Sequence, residues 1–348
     1  MGSTHKWNRR LLEGCVSSNG KPYSIELKKG SENKLHVNFM GGGASWSEET
    51  ARKPMTIQAI LMKKEGFYIP HVSPMMAKLG QIGLLSAKDK RNPFHNWHVL
   101  NIPYSNADFH IGANDFHYKD DKGKEKVLHH HGAKNVAAAL EVLKEFFVGT
   151  PDTLVISGVS AGAFGCLAHA PAINEIYPDC ENIVMYTEGA HIRSPIWPDV
   201  ISEIWKSDSS LIAYTESEDL IFDLFRYARD NMPTSTRFLH SVSVWDEALL
   251  QFMSKMNHGK TEISEQTLQE FHSTLIEVVK KLKAEIANCS YYLTDYGKKK
   301  DGTTPHIFSG SPKMLYDKMQ DGVALADWIF QGFEKNPPDV GEKFLDNH

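Results

Sequence analysis

Ser160 is the residue whose surroundings most directly suggest covalent chemistry, in the segment Gly-Val-Ser-Ala-Gly at 158–162. An apolar run at 153–157 precedes it, and a stretch rich in alanine and glycine with helical character follows. This setting is typical of a sharp strand–turn–helix elbow that exposes a serine hydroxyl. Glycines flank the serine because a Cβ there would block the close approach of strand and helix. An ordinary glycine and serine loop is the alternative, but we predict that Ser160 is a nucleophile.

A serine hydroxyl attacks efficiently only when a histidine accepts its proton and an acid orients that histidine. In the strand–elbow–helix type of sheet the chain order is serine, then acid, then histidine. Asp246 follows an apolar run at 238–244 and begins a helical pattern, where that acid belongs. Its alternative role is to cap the helix, since aspartate is a favoured N-cap residue. Asp295 and Asp301 remain alternatives for the acid.

His306 is the predicted base, in a loop at 302–310 that follows the last predicted strand. The proline at 305 restricts the preceding residue to extended conformations, which suits a loop that holds a ring in place. After residue 258 the other histidines are His272, inside a helical pattern, and the terminal His348. A surface loop histidine is the alternative to a catalytic one.

Attack on a carbonyl also requires donors for the oxygen that becomes negative. The N–H groups of Ala161 and of the triple glycine Gly41, Gly42 and Gly43 are candidates, because backbone donors there can reach the reacting centre without side-chain obstruction. A flexible turn is the alternative for the glycines. Trp46, which follows them, either lines an acyl pocket or is a packing residue.

The elements that must position these residues follow from the hydrophobic pattern. Short β-rich runs alternate with longer helical patterns, which indicates a mostly parallel sheet built from βαβ units. Residues 23–28 and 34–40 predict a hairpin, and residues 190–235 depart from the alternation and predict an inserted cap region. We therefore expect one α/β domain over 1–348. The other predicted strands lie at 97–104, 153–157, 182–187, 236–244 and 289–294, and the helices at 133–147, 215–230, 263–286 and 319–333.

Composition excludes several classes of protein. The chain has 348 residues and a net charge of −5, with 38 Lys+Arg and 43 Asp+Glu, which argues against a general nucleic-acid binder. No run approaches the ~18 apolar residues of a membrane span. The three histidines at 129–131 form a short tract, but no His-Glu-x-x-His spacing supports a catalytic zinc, and we expect no metal site.

Together these segments resemble the pectin acetylesterase family, which includes the animal Notum carboxylesterases that remove a lipid from Wnt proteins. The resemblance implies an α/β-hydrolase fold and carboxylic-ester hydrolysis without a cofactor. It also implies catalytic Ser160, Asp246 and His306, with oxyanion donors in the region of Gly42 and Gly43 and at Ala161. The matching segments occur in order between about 35 and 333, at 39–51, 92–97, 102–112, 129–135, 157–162, 245–248 and 305–306.

The chain also departs from that family. Ser45, Ala51, Ser105 and Val159 stand where members usually or often have cysteines, and Thr-Glu-Gly at 187–189 replaces an Asp-Ser-Gly turn. The loop cysteines form a disulfide that only an oxidising compartment maintains. With no signal peptide visible, their loss leads us to expect a cytoplasmic enzyme, or a secreted one if the chain was trimmed.

We therefore expect a serine carboxylesterase that hydrolyses an acetyl or other short acyl ester of a small molecule or saccharide. Two alternatives stay open. One is a lipid-directed, Notum-like acyl esterase or a thioesterase, and the other is a non-catalytic binding protein on the same scaffold.

Overall fold

The computed structural model describes residues 5–62 and 64–346, so His348 lies outside the described residues. Eight of its strands form one sheet in the order β1-β2-β4-β3-β7-β8-β9-β10, and β5 and β6 form a separate two-stranded ribbon. The strands are β1 (Trp7–Val16), β2 (Pro22–Lys28), β3 (Lys34–Phe39), β4 (His98–Ile102), β5 (Asn114–Lys119), β6 (Glu125–His130), β7 (Thr153–Val159), β8 (Ile183–Glu188), β9 (Arg237–Ser243) and β10 (Cys289–Thr294).

Helices connect the parallel strands, and short helical turns occur in the loops. The helices are α1 (Glu48–Ala51), α2 (Ile57–Leu61), α3 (Pro74–Leu79), α4 (Gly132–Phe146), α5 (Ala161–Ile176), α6 (Trp197–Asp199), α7 (Ser209–Ile212), α8 (Leu220–Asn231), α9 (Glu247–His258), α10 (Glu265–Glu285), α11 (Pro312–Tyr316) and α12 (Leu325–Gln331). A π-helical turn spans Val200–Ile204, and 3-10 turns span Gly83–Leu85 and Glu342–Phe344.

The sheet is parallel from β4 through β3, β7, β8 and β9 to β10, with β2 and β1 antiparallel at one edge. Every residue of β8 and β10 is buried, as expected of parallel strands covered on both faces. Alternate residues of β7 belong to different cores: Leu154 and Ile156 to the core that includes residues of α4, α5, α8 and α10, and Val155 to the core that includes residues of α12. The α/β-hydrolase-like fold with helices on both faces is confirmed.

The predicted hairpin of residues 23–28 and 34–40 is wrong. These residues form β2 and β3, but β4 lies between them, antiparallel to β2 and parallel to β3. The five-residue connection at 29–33 is long enough to pass over the start of β4, where the N–H groups of Ser31 and Glu32 donate to the carbonyl of Asn96. Local hydrophobic pattern identified both strands but carries no information about which strand lies beside which.

The segment 190–235, predicted to be an inserted cap, contains α6, the π-helical turn, α7 and α8. Trp197 and Trp205 are fully buried in it, and α8 contributes Leu224 and Phe225 to the core beside α5. That this segment acts as a cap stays a prediction. The edge strand β1 and the ribbon of β5 and β6 were not predicted, and the ribbon is relevant below.

Candidate active site

Ser160 lies in a strained turn between the end of β7 and the start of α5. Its backbone has φ 53° and ψ −126°, a conformation that non-glycine residues rarely adopt and that surrounding structure must impose. The Ser160 N–H donates to the carbonyl of Glu188 at 2.7 Å, which ties the turn to the end of β8. The serine elbow expected from the sequence is therefore present at the carboxyl end of a central parallel strand.

Two glycines make this turn possible through close approach rather than flexibility. A Cβ on Gly162 would lie 2.0 Å from the carbonyl oxygen of Phe39, and one on Gly41 would lie 2.3 Å from that of Val159. Since real Cβ atoms essentially never approach so closely, only glycine lets α5 pack on β3 and the triple glycine pack on the elbow. Both positions carry glycine for this reason.

His306 and Asp246 are in contact. The His306 Nδ1 and Asp246 Oδ2 atoms lie 2.7 Å apart, and Asp246 is fully buried. Because an ionised carboxylate can only accept, Nδ1 is the donor, which leaves the lone pair of Nε2 available to a nucleophile. A backbone hydrogen bond holds the segments of these two residues together, since the Glu247 N–H donates to the Thr304 carbonyl at 3.1 Å.

Asp246 also caps α9, because its Oδ1 accepts the N–H of Leu249 at 3.0 Å. The two roles considered for this residue therefore coexist, one on each carboxylate oxygen. Of the two alternative acids, Asp301 accepts from Thr303 instead, and within the described part of the chain neither it nor Asp295 bonds to His306.

Ser160 and His306 open into one cavity of about 250 Å³, together with Ala161 and the glycines at 41–43. Phe109 and Phe252 are among its walls. Trp46 is not among the residues that line it in the described chain; Trp46 packs behind Phe252, with ring centroids 5.6 Å apart. The remaining apolar lining residues are Met55, Ile69, Phe164, Ile192, Ala248, Leu249 and Ile307.

The backbone of this cavity offers donors. Across residues 5–62 and 64–346, no hydrogen bond is donated by the N–H of Gly42, Gly43 or Ala161, and all three residues line the cavity. Ala161 is the first residue of the 16-residue helix α5, whose N-terminus favours negative charge. The arrangement can stabilise an oxygen that becomes negative beside Ser160.

Comparison with known proteins adds a family to this geometry. The pectinacetylesterase family model matches residues 9–192, more than half of the chain. The chain belongs to the pectinacetylesterase family. It is accordingly a carboxylic ester hydrolase. A search of curated proteins found no match. The family match includes Ser160 and the triple glycine but ends before Asp246 and His306.

No helix in the described residues is long and apolar enough to cross a membrane.

Glu188 lies beside this candidate site, and the sequence did not reveal its role. It is fully buried, and its Oε1 accepts the N–H groups of Phe308 and Ser309 at 2.6 and 3.1 Å, which holds the loop that carries His306. The Thr-Glu-Gly segment at 187–189 marked the position only as a departure from the family. A contact across 120 residues leaves no local pattern that would have indicated its partner.

A second unanticipated feature is the loop at 107–110, where Ala107, Phe109 and His110 all have positive φ. The buried Asp108 holds this loop, since its carboxylate accepts the N–H groups of Gly132 at 2.7 Å and His110 at 3.1 Å. The loop places Phe109 in the cavity wall. The family resemblance includes the segment 102–112 but indicates no role for any of its residues.

Opposing effects set the pKa of His306. Burial lowers it, but the carboxylates of Asp246 and Glu188 outweigh burial and raise the pKa above its ordinary value. A histidine that acts as a general base must be neutral to accept a proton, so a raised pKa moves the acid limb of its pH–rate profile to higher pH.

Replacing Glu188 with glutamine is expected to move the acid limb of kcat/KM against pH to lower pH. The amide oxygen can still accept the two loop N–H groups, but the charge that raises the pKa of His306 is lost. Glu247→Gln is the matched control, because Glu247 pairs with Lys299 at the surface. Profiles measured on the same ester should move for Glu188→Gln and not for Glu247→Gln; equal profiles for all three proteins would contradict this role.

Proposed function

We propose that this enzyme hydrolyses an acetyl or other short acyl ester through Ser160, His306 and Asp246. One observation supports this most strongly: the His306–Asp246 pair, bonded at 2.7 Å, and Ser160, held in a strained elbow, open into one apolar cavity. Acyl transfer to serine uses a serine, a histidine that accepts its proton and a buried acid that orients the histidine.

In the proposed reaction the Ser160 hydroxyl attacks the ester carbonyl while His306 Nε2 accepts its proton. Asp246 keeps the imidazole in the Nδ1–H tautomer and stabilises the imidazolium that forms. His306 then gives the proton to the leaving alcohol, and an acyl-enzyme remains. Water, deprotonated by His306, attacks the acyl-enzyme and releases the carboxylic acid and free Ser160.

The free N–H groups of Gly42, Gly43 and Ala161 would stabilise the oxyanion of both tetrahedral intermediates. Backbone donors held in place before reaction cost no rearrangement when the charge develops, and removal of one such donor typically costs about 10²–10³ in kcat. No cofactor takes part in this mechanism.

The cavity limits the acyl group. Its volume of about 250 Å³ is below the range of about 300–1,000 Å³ that is usual for ligand pockets. Apart from Ser160 and His306 its side chains are apolar, so it suits a hydrocarbon chain better than a sugar, and the alcohol of a saccharide ester would lie outside it. The same apolar lining favours the second candidate, an esterase or thioesterase for longer acyl chains.

Hydrolysis of p-nitrophenyl esters from acetyl to palmitoyl separates these two candidates. We expect kcat/KM to be highest between two and six carbons and to fall at least about tenfold at palmitoyl, because the excess chain exceeds the cavity. A maximum at eight carbons or more would favour the lipid-directed candidate. No activity at any length would favour a binding role.

The variant Ala248→Phe tests whether the acyl group binds in this cavity. Ala248 lines the cavity, and a larger side chain there reduces the volume of the cavity. We expect it to retain acetyl ester hydrolysis and to lose activity on longer chains. An unchanged chain-length profile would show that the acyl group binds elsewhere.

A further inference from the structure

The ribbon of β5 and β6 brings together two histidines and an aspartate outside the cavity. Asp115 on β5 lies opposite His129 on β6 in the strand register. His131 is two residues further along the chain, so it lies on the same side as His129, and it is the N-cap residue of α4. Asp115 Oδ1 lies 2.6 Å from His129 Nδ1 and 2.9 Å from His131 Nε2.

The separations suit a metal ion. The three nearest nitrogen and oxygen atoms lie within 4.8 Å of one another. Ligands at about 2.0–2.2 Å around tetrahedral zinc are separated from each other by roughly 3.3 Å. The O···N distances of 2.6 and 2.9 Å would therefore need to open by about 0.7 and about 0.4 Å to reach that ligand separation. Asp115 is half-exposed, so an ion and its remaining water ligands have access from solvent.

The donor atoms of the cluster are also suitable. One carboxylate and neutral imidazole nitrogens form a donor set that suits borderline divalent ions such as Zn²⁺.

We propose that Asp115, His129 and His131 bind one divalent transition-metal ion, for which Zn²⁺ is the best-fitting candidate, and that the ion fixes the β5–β6 ribbon to the start of α4. This revises the sequence-based expectation that the chain has no metal site. None of the three residues lines the cavity that holds Ser160. The ion would thus stabilise structure and take no part in ester hydrolysis.

The test is zinc binding by the full-length, untagged protein after treatment with a chelator. Equilibrium dialysis against buffered ZnCl₂, with metal content measured by mass spectrometry, gives stoichiometry and affinity. The variants are Asp115→Asn, which preserves shape but removes the anionic ligand, and His131→Gln. His258→Ala is the matched control, since His258 is an exposed histidine beside a carboxylate, 3.4 Å from Glu270, in a different part of the fold.

We expect one tight site per chain in the wild type and in His258→Ala, and at least about tenfold weaker binding in Asp115→Asn and His131→Gln. The midpoint of thermal unfolding should rise with ZnCl₂ in the first two proteins only, because an ion that binds the folded state stabilises it. Equal zinc affinity in the wild type and Asp115→Asn would overturn the proposal. Since p-nitrophenyl ester hydrolysis should be equal in all four proteins, that failure would leave the esterase proposal intact.

Discussion

Replacing Ser160 with alanine is expected to reduce kcat by about 10⁵- to 10⁶-fold on any ester that the wild type hydrolyses. The magnitude follows from the loss of the nucleophile itself, for which comparable serine hydrolases lose about that factor. The substitution removes one oxygen that borders a cavity and creates no void in the core. The free energy of unfolding should therefore stay within about 0.5 kcal/mol of the wild type.

Covalent labelling separates loss of the nucleophile from loss of the fold. An organophosphate that phosphorylates activated serines should add one group per chain to the wild type, detectable by intact-protein mass spectrometry. Ser160→Ala should take up none while it unfolds at the same denaturant concentration. Measurable turnover or unchanged labelling in that variant would exclude Ser160 as the nucleophile.

The parts of the fold that could be predicted are those in which local pattern and burial coincide. β8 and β10 are buried along their whole length, and each contains an apolar and aromatic run, at 183–186 in β8 and at 291–293 in β10, that predicts a strand. The helical pattern at 133–147 marks α4 within one residue at each end. The elbow at Ser160 was predictable because its glycines are required by contacts that a Cβ would violate.

What could not be predicted depends on contacts between distant residues. The ribbon of β5 and β6 carries mostly polar, half-exposed or exposed residues and so leaves no hydrophobic signal. The placement of β4 between β2 and β3 depends on tertiary packing. The sequence pattern of β2 is equally compatible with β3 or β4 as its neighbour in the sheet. Glu188 reaches its loop partners across 120 residues, and a buried glutamate in a sequence has no distinguishing pattern.

The candidate site shows the same division. The order serine, acid, histidine along the chain indicated Ser160, Asp246 and His306 as candidates but left Asp295 and Asp301 open as the acid. The sheet brings the ends of β7, β9 and β10 to one edge, and there the contact at 2.7 Å favours Asp246. Trp46, selected only because it follows the glycines, lies behind the cavity wall. Chain order thus indicated residues that the sheet topology places together. Proximity in sequence to the glycines did not show that the Trp46 side chain would line the cavity.

Replacing Asp246 with asparagine is expected to reduce kcat by about 10⁴-fold with little change in stability. The amide oxygen can still accept the Leu249 N–H at the start of α9, so the cap is retained. The amide nitrogen would then face His306 Nδ1, which must become an acceptor, and the proton moves to Nε2, the atom that has to accept the serine proton. The measurement is kcat on the preferred ester beside chemical denaturation.

Asp246→Ala removes both functions of the carboxylate, the helix cap and the contact with His306. Comparison with Asp246→Asn, which keeps the cap, therefore separates the two functions. We expect a comparable loss of activity together with a loss of at least about 1 kcal/mol in the free energy of unfolding, the usual effect of deleting an N-cap. If asparagine instead keeps more than a tenth of the wild-type kcat, the acid that orients His306 is a different residue, and Asp295 and Asp301 become the candidates. Asp246 would then be only the cap of α9. Its buried position between a helix N-terminus and a histidine ring argues that one carboxylate serves both.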